Sequence, residues 1–297
     1  MEKHYSGFIN IVGRPNVGKS TLMNALVGER MAIITNKPQT TRHRLIGIVN
    51  TDQAQMVFSD TPGIIHDPSY KMQLQMNRYV MNSFEDADIV LFMTEPAETY
   101  DDDDFFLELI RKAQVPVFLV LNKIDMIEEG EVLQLIKTWN ERIEFAESFP
   151  ISALNKRNTE TLMRTIESRL PEGPAYYPKD QFTDKPERFF VSEIIREKIL
   201  LQYHQEIPYA SEVVVNSFKV DEQKPLIRIQ ADIYVMRKTQ KSILIGKGGS
   251  SIKKLGMTAR KDIETFLDSP VYLELFVKVK DNWRDDERQL KHFGYQS

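Results

Sequence analysis

Apolar and polar positions follow two different patterns over the first 170 residues. Short apolar runs, typical of buried strands, occur at Phe8–Val12, Gln55–Ser59, Ile89–Met93 and Val117–Leu121. Between them, apolar residues at helical spacing occupy Lys19–Val27, Met72–Phe84, Phe105–Lys112 and Glu131–Phe145. Strands that alternate with helices predict a parallel sheet covered by helices. We therefore predict an α/β domain over residues 1–172.

The pattern changes after residues 173–187, where proline, glycine and polar residues indicate a linker. Beyond it the sequence predicts helices at Arg188–Tyr203, Thr239–Ile245 and Ser250–Leu267. It predicts strands at Glu212–Val220, Leu226–Val235 and Val271–Val279. Residues 188–297 are thus expected to form a second, α+β domain with the order α-β-β-α-α-β.

Composition narrows the class of protein. The length of 297 residues suits about two domains. The absence of cysteine excludes disulfides and thiolate metal sites, so a reducing cytoplasm is the expected location. No apolar run approaches the roughly 18 residues of a membrane span.

Charge is distributed unevenly along the chain. Residues 1–175 carry 18 Lys and Arg against 25 Asp and Glu, a balance of −7, and residues 176–297 carry 21 against 18, a balance of +3. The segment from Arg237 to Lys261 holds eight basic residues and no acid. Such a run is either a solvated helix face or a surface that binds phosphates.

A glycine-rich motif follows the first predicted strand and begins a helix. Its residues are Gly13-Arg14-Pro15-Asn16-Val17-Gly18-Lys19-Ser20, followed by Thr21. This is the GxxxxGK[ST] phosphate loop, whose backbone N–H groups bind phosphates at a helix N-terminus. We expect Lys19 to reach the β- and γ-phosphates and Ser20 to ligate Mg²⁺.

Two further segments are expected to complete the Mg²⁺ and γ-phosphate site. The motif Asp60-Thr61-Pro62-Gly63 ends a predicted strand, where an acid can hold Mg²⁺ and the Gly63 amide can sense a γ-phosphate. Between the two motifs lies Gln39-Thr40-Thr41-Arg42, in which a threonine hydroxyl can join the metal shell when a γ-phosphate is present. Lys19, Thr41, Asp60 and Gly63 are the predicted catalytic residues, and Ser20, Thr41 and Asp60 the predicted metal ligands.

Two later motifs predict recognition of guanine. Asn122-Lys123-Ile124-Asp125 ends another strand, and a carboxylate at Asp125 can accept hydrogen bonds from guanine N1–H and the exocyclic amine. Adenine lacks both donors, so it would leave a buried Asp125 carboxylate unpaired. Ser152-Ala153-Leu154 can offer a backbone amide to guanine O6.

These motifs, in this order and each at a strand end, resemble those of the P-loop GTPases, in their translation-factor-related branch. The resemblance implies a doubly wound sheet with GTP or GDP at the carboxyl ends of its strands. In the signalling members a water-orienting glutamine follows this glycine, whereas this chain has Ile64. Unaided hydrolysis is therefore expected to be slow, about 10⁻³ s⁻¹ or less. We expect a partner or K⁺ to assist, because Asn16, with Thr40 as a second candidate, matches positions that hold K⁺ in related GTPases.

The basic run contains a second glycine-rich motif, Gly246-Lys247-Gly248-Gly249, between two predicted helices. Alone it would be a helix cap. Within the α-β-β-α-α-β order it resembles the GxxG loop of a type II KH domain, which binds single-stranded RNA. The predicted RNA contacts are phosphate-pairing lysines, an apolar groove and the loop itself: Lys241, Ile245, Gly246, Lys247, Gly248, Gly249, Ile252, Lys253 and Lys254.

The combination of both domains resembles the Era family of bacterial GTPases. Glu193-Ile-Ile-Arg-Glu-Lys198 and the closing segment from Val277 to Tyr295 also match that family. The resemblance implies binding to the 3′ end of 16S rRNA on the 30S ribosomal subunit, coupling of nucleotide state to RNA affinity, and no role for DNA. It also implies a monomer with peripheral contact to the inner membrane, although nothing else in the sequence argues for that contact. An alternative is a guanine-nucleotide sensor for growth control whose RNA binding is independent of the nucleotide.

Overall fold

The computed structural model describes residues 3–35, 37–102 and 104–295. Its described residues form two compact units. The first draws on residues 3–32, 41–66, 76–102 and 104–184, and the second on residues 33–35, 37–40, 67–75 and 185–295. None of the helices in the described ranges is long and apolar enough to cross a membrane.

Strands and helices alternate along the first part of the chain. They are β1 (Tyr5–Val12), α1 (Lys19–Val27), β2 (Leu45–Asn50), β3 (Ala54–Asp60), α2 (Lys71–Glu85), β4 (Ile89–Thr94), α3 (Phe105–Lys112), β5 (Val117–Leu121), α4 (Glu129–Arg142), β6 (Glu147–Pro150) and α5 (Thr159–Arg169). The strands form one sheet in the order β2-β3-β1-β4-β5-β6. All pairs are parallel except β2 with β3. This is the predicted α/β, doubly wound fold.

The central strands are buried along their whole length. Every residue of β3, β4 and β5 is buried, which is the pattern of a parallel sheet covered on both faces. On one face Phe92 contacts the rings of Tyr100, Phe106 and Trp139. Parallel pairing places the carboxyl ends of β1, β3, β4, β5 and β6 at one edge of the sheet, and the sequence motifs follow β1, β3, β5 and β6.

Both bounds of one predicted helix are wrong. The helix expected over Glu131–Phe145 begins at Glu129 and ends at Arg142. Ile143 is extended and buried, and its N–H donates to the Trp139 carbonyl. Phe145 stacks parallel to the ring of Phe92, so these apolar residues serve the core as part of a loop.

The second unit contains its own sheet and helices. Its elements are α6 (Glu187–Gln202), α7 (Ile207–Ala210), β7 (Glu212–Val220), β8 (Ile227–Val235), α8 (Lys238–Ile245), α9 (Ser250–Leu267), β9 (Val271–Val279) and α10 (Glu287–His292). The sheet order is β7-β8-β9, with β7 antiparallel and β9 parallel to β8. The predicted α-β-β-α-α-β order is present, and the short helices α7 and α10 are additional.

Alternate residues of the second sheet form its core. Ile229, Ala231 and Ile233 of β8 are fully buried, as half-buried strands with one face on helices require. The chain after β9 is held by Trp283, whose indole N–H donates to the Ala210 carbonyl at 3.0 Å. Tyr295 donates its hydroxyl to the Glu212 carboxylate at 2.6 Å.

Candidate functional site

The phosphate loop between β1 and α1 has no room for side chains at its two glycines. Gly13 has φ of 155°, and a Cβ there would lie 2.2 Å from the Met93 carbonyl oxygen. Gly18 has φ of 103°, and its Cβ would lie 2.3 Å from Asn122 Nδ2. The backbone can therefore curl at the start of α1 only with glycine at both positions.

Lys19 is buried beneath this loop. Its Nζ donates to the carbonyl oxygens of Gly13 and Arg14, at 2.8 Å each. Burial lowers the pKa of Lys19 to about 8, although the carboxylates of Asp60 and Glu98 act in the opposite direction. A cation is thus held where backbone N–H groups already favour an anion.

The hydroxyls of Ser20 and Thr41 meet the Asp60 carboxylate at the end of β3. Ser20 Oγ donates to Asp60 Oδ2 at 2.7 Å and lies 3.0 Å from Thr41 Oγ1, which is 3.5 Å from the same carboxylate oxygen. The other oxygen, Asp60 Oδ1, is buried without a hydrogen-bond partner among the described residues. Burial also raises the pKa of Asp60. Oxygen donors with an unpaired buried carboxylate oxygen fit a hard cation such as Mg²⁺.

The residues after Asp60 are fixed by neighbouring loops. Thr61 Oγ1 donates to the Ile11 carbonyl at 2.9 Å, and Pro62 is buried. A Cβ on Gly63 would lie 2.6 Å from Pro15 Cγ, so the phosphate loop and this segment are in close contact. The Ile64 side chain is buried in the apolar cluster and can donate no hydrogen bond to a water.

Asn122 joins three of the sequence motifs. Its Nδ2 donates to the Val17 carbonyl at 2.8 Å, and its Oδ1 accepts the Ala153 N–H at 2.9 Å. One buried amide side chain therefore connects the phosphate loop to both guanine motifs. Thr21 belongs to the first turn of α1, directly after these loop residues.

The two guanine motifs present one carboxylate and one amide. Asp125 lies in a single helical turn after β5, and its side chain is exposed rather than buried as predicted. Ser152 N–H already donates to the Arg157 carbonyl, and Ala153 N–H to Asn122. Leu154 is exposed, and its amide is the one of the three that has no acceptor among the described residues.

Contacts of the phosphate loop with the segment after β4 could not be predicted from the motifs. The Arg14 guanidinium lies 3.8 Å above the centre of the Tyr100 ring and 2.5 Å from Asp104 Oδ2. Lys123 forms an ion pair with Glu95. Asp104 also begins α3, where its Oδ1 accepts the Phe106 N–H at 2.8 Å, as expected for an acidic helix start.

The second glycine-rich motif forms the turn between α8 and α9. Gly246 has φ of 74°, and a Cβ there would lie 2.2 Å from Ser251 Oγ and 2.9 Å from the Ser251 nitrogen. Gly248 and Gly249 also have positive φ, of 60° and 79°, but open space surrounds them. The turn therefore brings bare backbone to the surface beside the N-terminus of α9.

The predicted RNA-contact side chains surround this turn. Lys247, Lys253 and Lys254 are exposed and Lys241 is partly exposed. Ile245 and Ile252 are half-buried against the core of this unit. The structure adds two exposed apolar side chains that the sequence analysis missed, Ile243 on α8 and Met257 on α9. Ile243 lies one helical turn from the glycines and Met257 two turns from them. This spacing is the feature of the sequence from which both could have been predicted.

Charged side chains of the segment from Glu193 to Lys198 on α6 form ion pairs. Arg196 is buried and bound to the Glu193 carboxylate, with Nε–Oε1 at 2.7 Å. Lys198 pairs with Glu197 at 2.9 Å and with Asp262 on α9. The pair with Asp262 joins α6 to α9.

Comparisons with known proteins cover both units. The family described as "50S ribosome-binding GTPase" matches residues 8–123, and the family described as "KH domain" matches residues 206–284. The GTPase Era of Syntrophus aciditrophicus (strain SB) is 48% identical over 291 residues, which is 98% of this chain and 95% of that protein.

Two solved structures align with the chain over nearly its whole length. A variant of Aquifex aeolicus Era bound to GDP·AlF4⁻ has a TM-score of 0.93 and 38% identity, and the alignment covers 99% of this chain and 100% of that one. Era in complex with MgGDPNP and nucleotides 1506–1542 of 16S ribosomal RNA has a TM-score of 0.94 and 38% identity, with the same coverage.

Proposed function

The chain belongs to the Era family of GTPases and carries a KH domain, and from this premise we propose that it binds the 3′ end region of 16S rRNA under the control of its nucleotide. Its role would be in assembly of the 30S ribosomal subunit. The observation that supports this most is the solved Era complex with MgGDPNP and 16S nucleotides 1506–1542, 38% identical over 99% of this chain.

In the nucleotide site, the chain's own residues supply binding and electrostatic stabilisation. Lys19 and the phosphate-loop amides would hold the β- and γ-phosphates, and the Gly63 amide would donate to the γ-phosphate. Ser20, Thr41 and Asp60 would hold Mg²⁺, which neutralises charge on the phosphates when it is bound. Asp125 and the Leu154 amide would select guanine.

In the KH domain, the glycine turn would accept the sugar-phosphate backbone of single-stranded RNA. Lys241, Lys247, Lys253 and Lys254 surround that turn and would pair with phosphates. The half-buried Ile245 and Ile252, with the exposed Ile243 and Met257, would form the apolar surface on which bases lie. The N-terminus of α9 adds a favourable dipole beside the phosphates.

A group other than the side chain of Ile64, which is buried, would have to activate the attacking water. We expect K⁺ to assist, with Asn16, exposed on the phosphate loop, as the residue that holds it. Turnover should then be faster in K⁺ than in Na⁺ at equal ionic strength, and Asn16→Ala should remove the difference. Equal turnover of the parent protein in both salts would contradict a K⁺ role.

The test of nucleotide-controlled RNA binding is an affinity measurement at one fixed salt concentration. A labelled RNA that copies the 16S 3′ end is titrated with the protein bound to GDP or to GDPNP, with a scrambled RNA as control. Coupling between two sites is typically worth about 5- to 150-fold, so we expect GDPNP to tighten RNA binding within that range. The RNA should then tighten GDPNP binding by the same factor, because coupling is reciprocal.

The other outcomes separate the remaining hypotheses. Equal RNA affinity in both nucleotide states would contradict the gating and favour the nucleotide-sensor alternative. Equal affinity for the 16S and scrambled RNAs would contradict the proposed target and leave the GTPase activity unaffected. The monomeric state and the peripheral membrane contact implied by the resemblance stay predictions, which sedimentation and binding to anionic vesicles would test.

A further inference from the structure

The loop between β4 and α3, whose described residues are 95–102 and 104, contacts two separate parts of the nucleotide site. At one end Glu95 forms an ion pair with Lys123 of the guanine motif. At the other end Asp104 pairs with Arg14 of the phosphate loop at 2.5 Å. The loop contains none of the site residues that the sequence motifs predict.

Arg14 is held by three different contacts with the loop. Its Nη2 pairs with Asp104, its Nη1 donates to the Thr99 carbonyl at 2.8 Å, and its guanidinium stacks on the Tyr100 ring at 3.8 Å. A guanidinium with a carboxylate, a carbonyl and an aromatic face has little freedom. Since the Arg14 carbonyl accepts from Lys19, these contacts also fix the backbone around the phosphate-binding lysine.

The loop is itself anchored to the core. Tyr100 is buried and lies edge-on to Phe92 and Trp139, with ring centres 5.8 and 5.3 Å apart. Its hydroxyl donates to Glu98 Oε2 at 3.2 Å, and Thr94 Oγ1 donates to the same oxygen at 2.9 Å. The loop is therefore a firm support for the groups that it holds.

We infer that the β4–α3 loop sets the rate at which nucleotide leaves, because it braces the phosphate loop and the guanine motif together. Asp104 and Glu95 are then positioning residues that touch no nucleotide themselves. When either ion pair is lost, one end of the nucleotide site becomes more mobile and dissociation accelerates. The inference rests on the nucleotide site alone and is independent of the RNA-binding proposal.

The test uses Asp104→Asn and Glu95→Gln in the full-length protein. Asparagine keeps an oxygen to cap α3 but loses the charge that holds Arg14. Both variants leave Arg14, Lys123 and all motif residues in place. Displacement of fluorescently labelled GDP, followed by stopped flow, should show dissociation about three- to tenfold faster in each variant. In steady-state hydrolysis, KM should rise by a larger factor than kcat falls.

Arg142→Ala is the matched control. Arg142 contacts the outer side of the same loop, through the Tyr100 carbonyl at 2.7 Å and Asp102 at 2.9 Å, but no residue of the nucleotide motifs. Its dissociation rate should stay within about twofold of the parent rate, since its ion-pair partner Asp102 is exposed and such pairs contribute little. Unchanged dissociation in Asp104→Asn and Glu95→Gln would overturn the inference. An equal acceleration in Arg142→Ala would overturn the role given to the Asp104 and Glu95 ion pairs, because general loosening of the loop would then be sufficient.

Discussion

Burial gives Lys19 an acid–base behaviour that differs from that of a surface lysine. Its pKa is lowered from 10.5 to about 8, so without nucleotide the Lys19 amine is partly neutral just above physiological pH. Bound phosphates favour the charged form, so nucleotide binding takes up a proton wherever free Lys19 has lost one. We predict that the affinity for GDP falls about fourfold between about pH 7.0 and about pH 8.5, as measured by calorimetry.

A Lys19→Arg variant provides the control for this pH dependence. Its guanidinium does not titrate in that range, so its affinity, although weaker, should be independent of pH. The range ends below the pH at which guanine N1–H ionises, so the base does not contribute. A parent profile as flat as that of the variant would contradict a titrating Lys19.

The residue-level contacts show why the motifs predicted the candidate site only in part. Phosphate-loop glycines and Lys19 could be assigned from the sequence because their roles depend on a local backbone shape. The Arg14–Thr99 hydrogen bond joins residues 85 positions apart, and no spacing rule relates them. Likewise, the amides of Ser152 and Ala153 donate to Arg157 and Asn122, and the amide of Leu154 is left without an acceptor among the described residues. The motif itself does not indicate these partners.

At the level of elements, helices with clear start signals were predicted best. The bounds of α1 and α9 match the structure, because glycine precedes each first residue and apolar spacing continues to the end. β2, which pairs antiparallel with β3, was missed because Gly47 interrupts its apolar run. That glycine is required by packing, since a Cβ there would lie 2.6 Å from Met23 Cε and from Val27 Cγ2.

The turn between α8 and α9 offers a prediction about a matched pair of glycines. In Gly246→Ala a methyl group would collide with Ser251 at a positive φ of 74°, so the start of α9 must shift. We expect a loss of about 2–3 kcal/mol in the free energy of unfolding, measured with urea, and a weaker affinity for RNA. Gly248→Ala meets only the positive φ of 60°, in open space, and should cost about 1 kcal/mol.

The comparison between these two variants isolates the collision from the backbone preference. Both add the same methyl group to the same turn, and both positions have positive φ. Equal losses of stability would show that the backbone conformation alone decides the cost. A Gly246→Ala protein as stable as the parent would contradict the close packing of the turn against Ser251.

The protein has a net charge of −4, but residues 1–175 carry a balance of −7 and residues 176–297 a balance of +3. The proposed RNA binding would therefore come from a local concentration of cations rather than from overall attraction. The exposed lysines at the glycine turn supply that concentration. A charge change elsewhere on the protein should have little effect, because salt screens exposed charges beyond about 8–10 Å.

The salt dependence of RNA affinity measures how many of these lysines pair with phosphates. If Lys241, Lys247, Lys253 and Lys254 pair with phosphates of single-stranded RNA, log K should fall with log salt at a slope of about −3. A triple variant, Lys247→Ala, Lys253→Ala and Lys254→Ala, should reduce that slope by about 2 and weaken binding to all RNA sequences alike. GDP affinity should not change, since these lysines lie on α9 and the turn before it.

The control for the salt experiment removes the same number of positive charges from elsewhere in the chain. Lys3, Lys112 and Lys137 are exposed surface residues of the first unit, each paired with a surface acid. Their triple replacement by alanine alters the net charge equally and should leave the slope within about 0.5 of the parent value. If both triple variants reduced the slope equally, overall charge would explain RNA affinity. If neither did, the phosphates would have to contact a different surface. Only a loss confined to the turn variant agrees with a backbone that lies against the glycines.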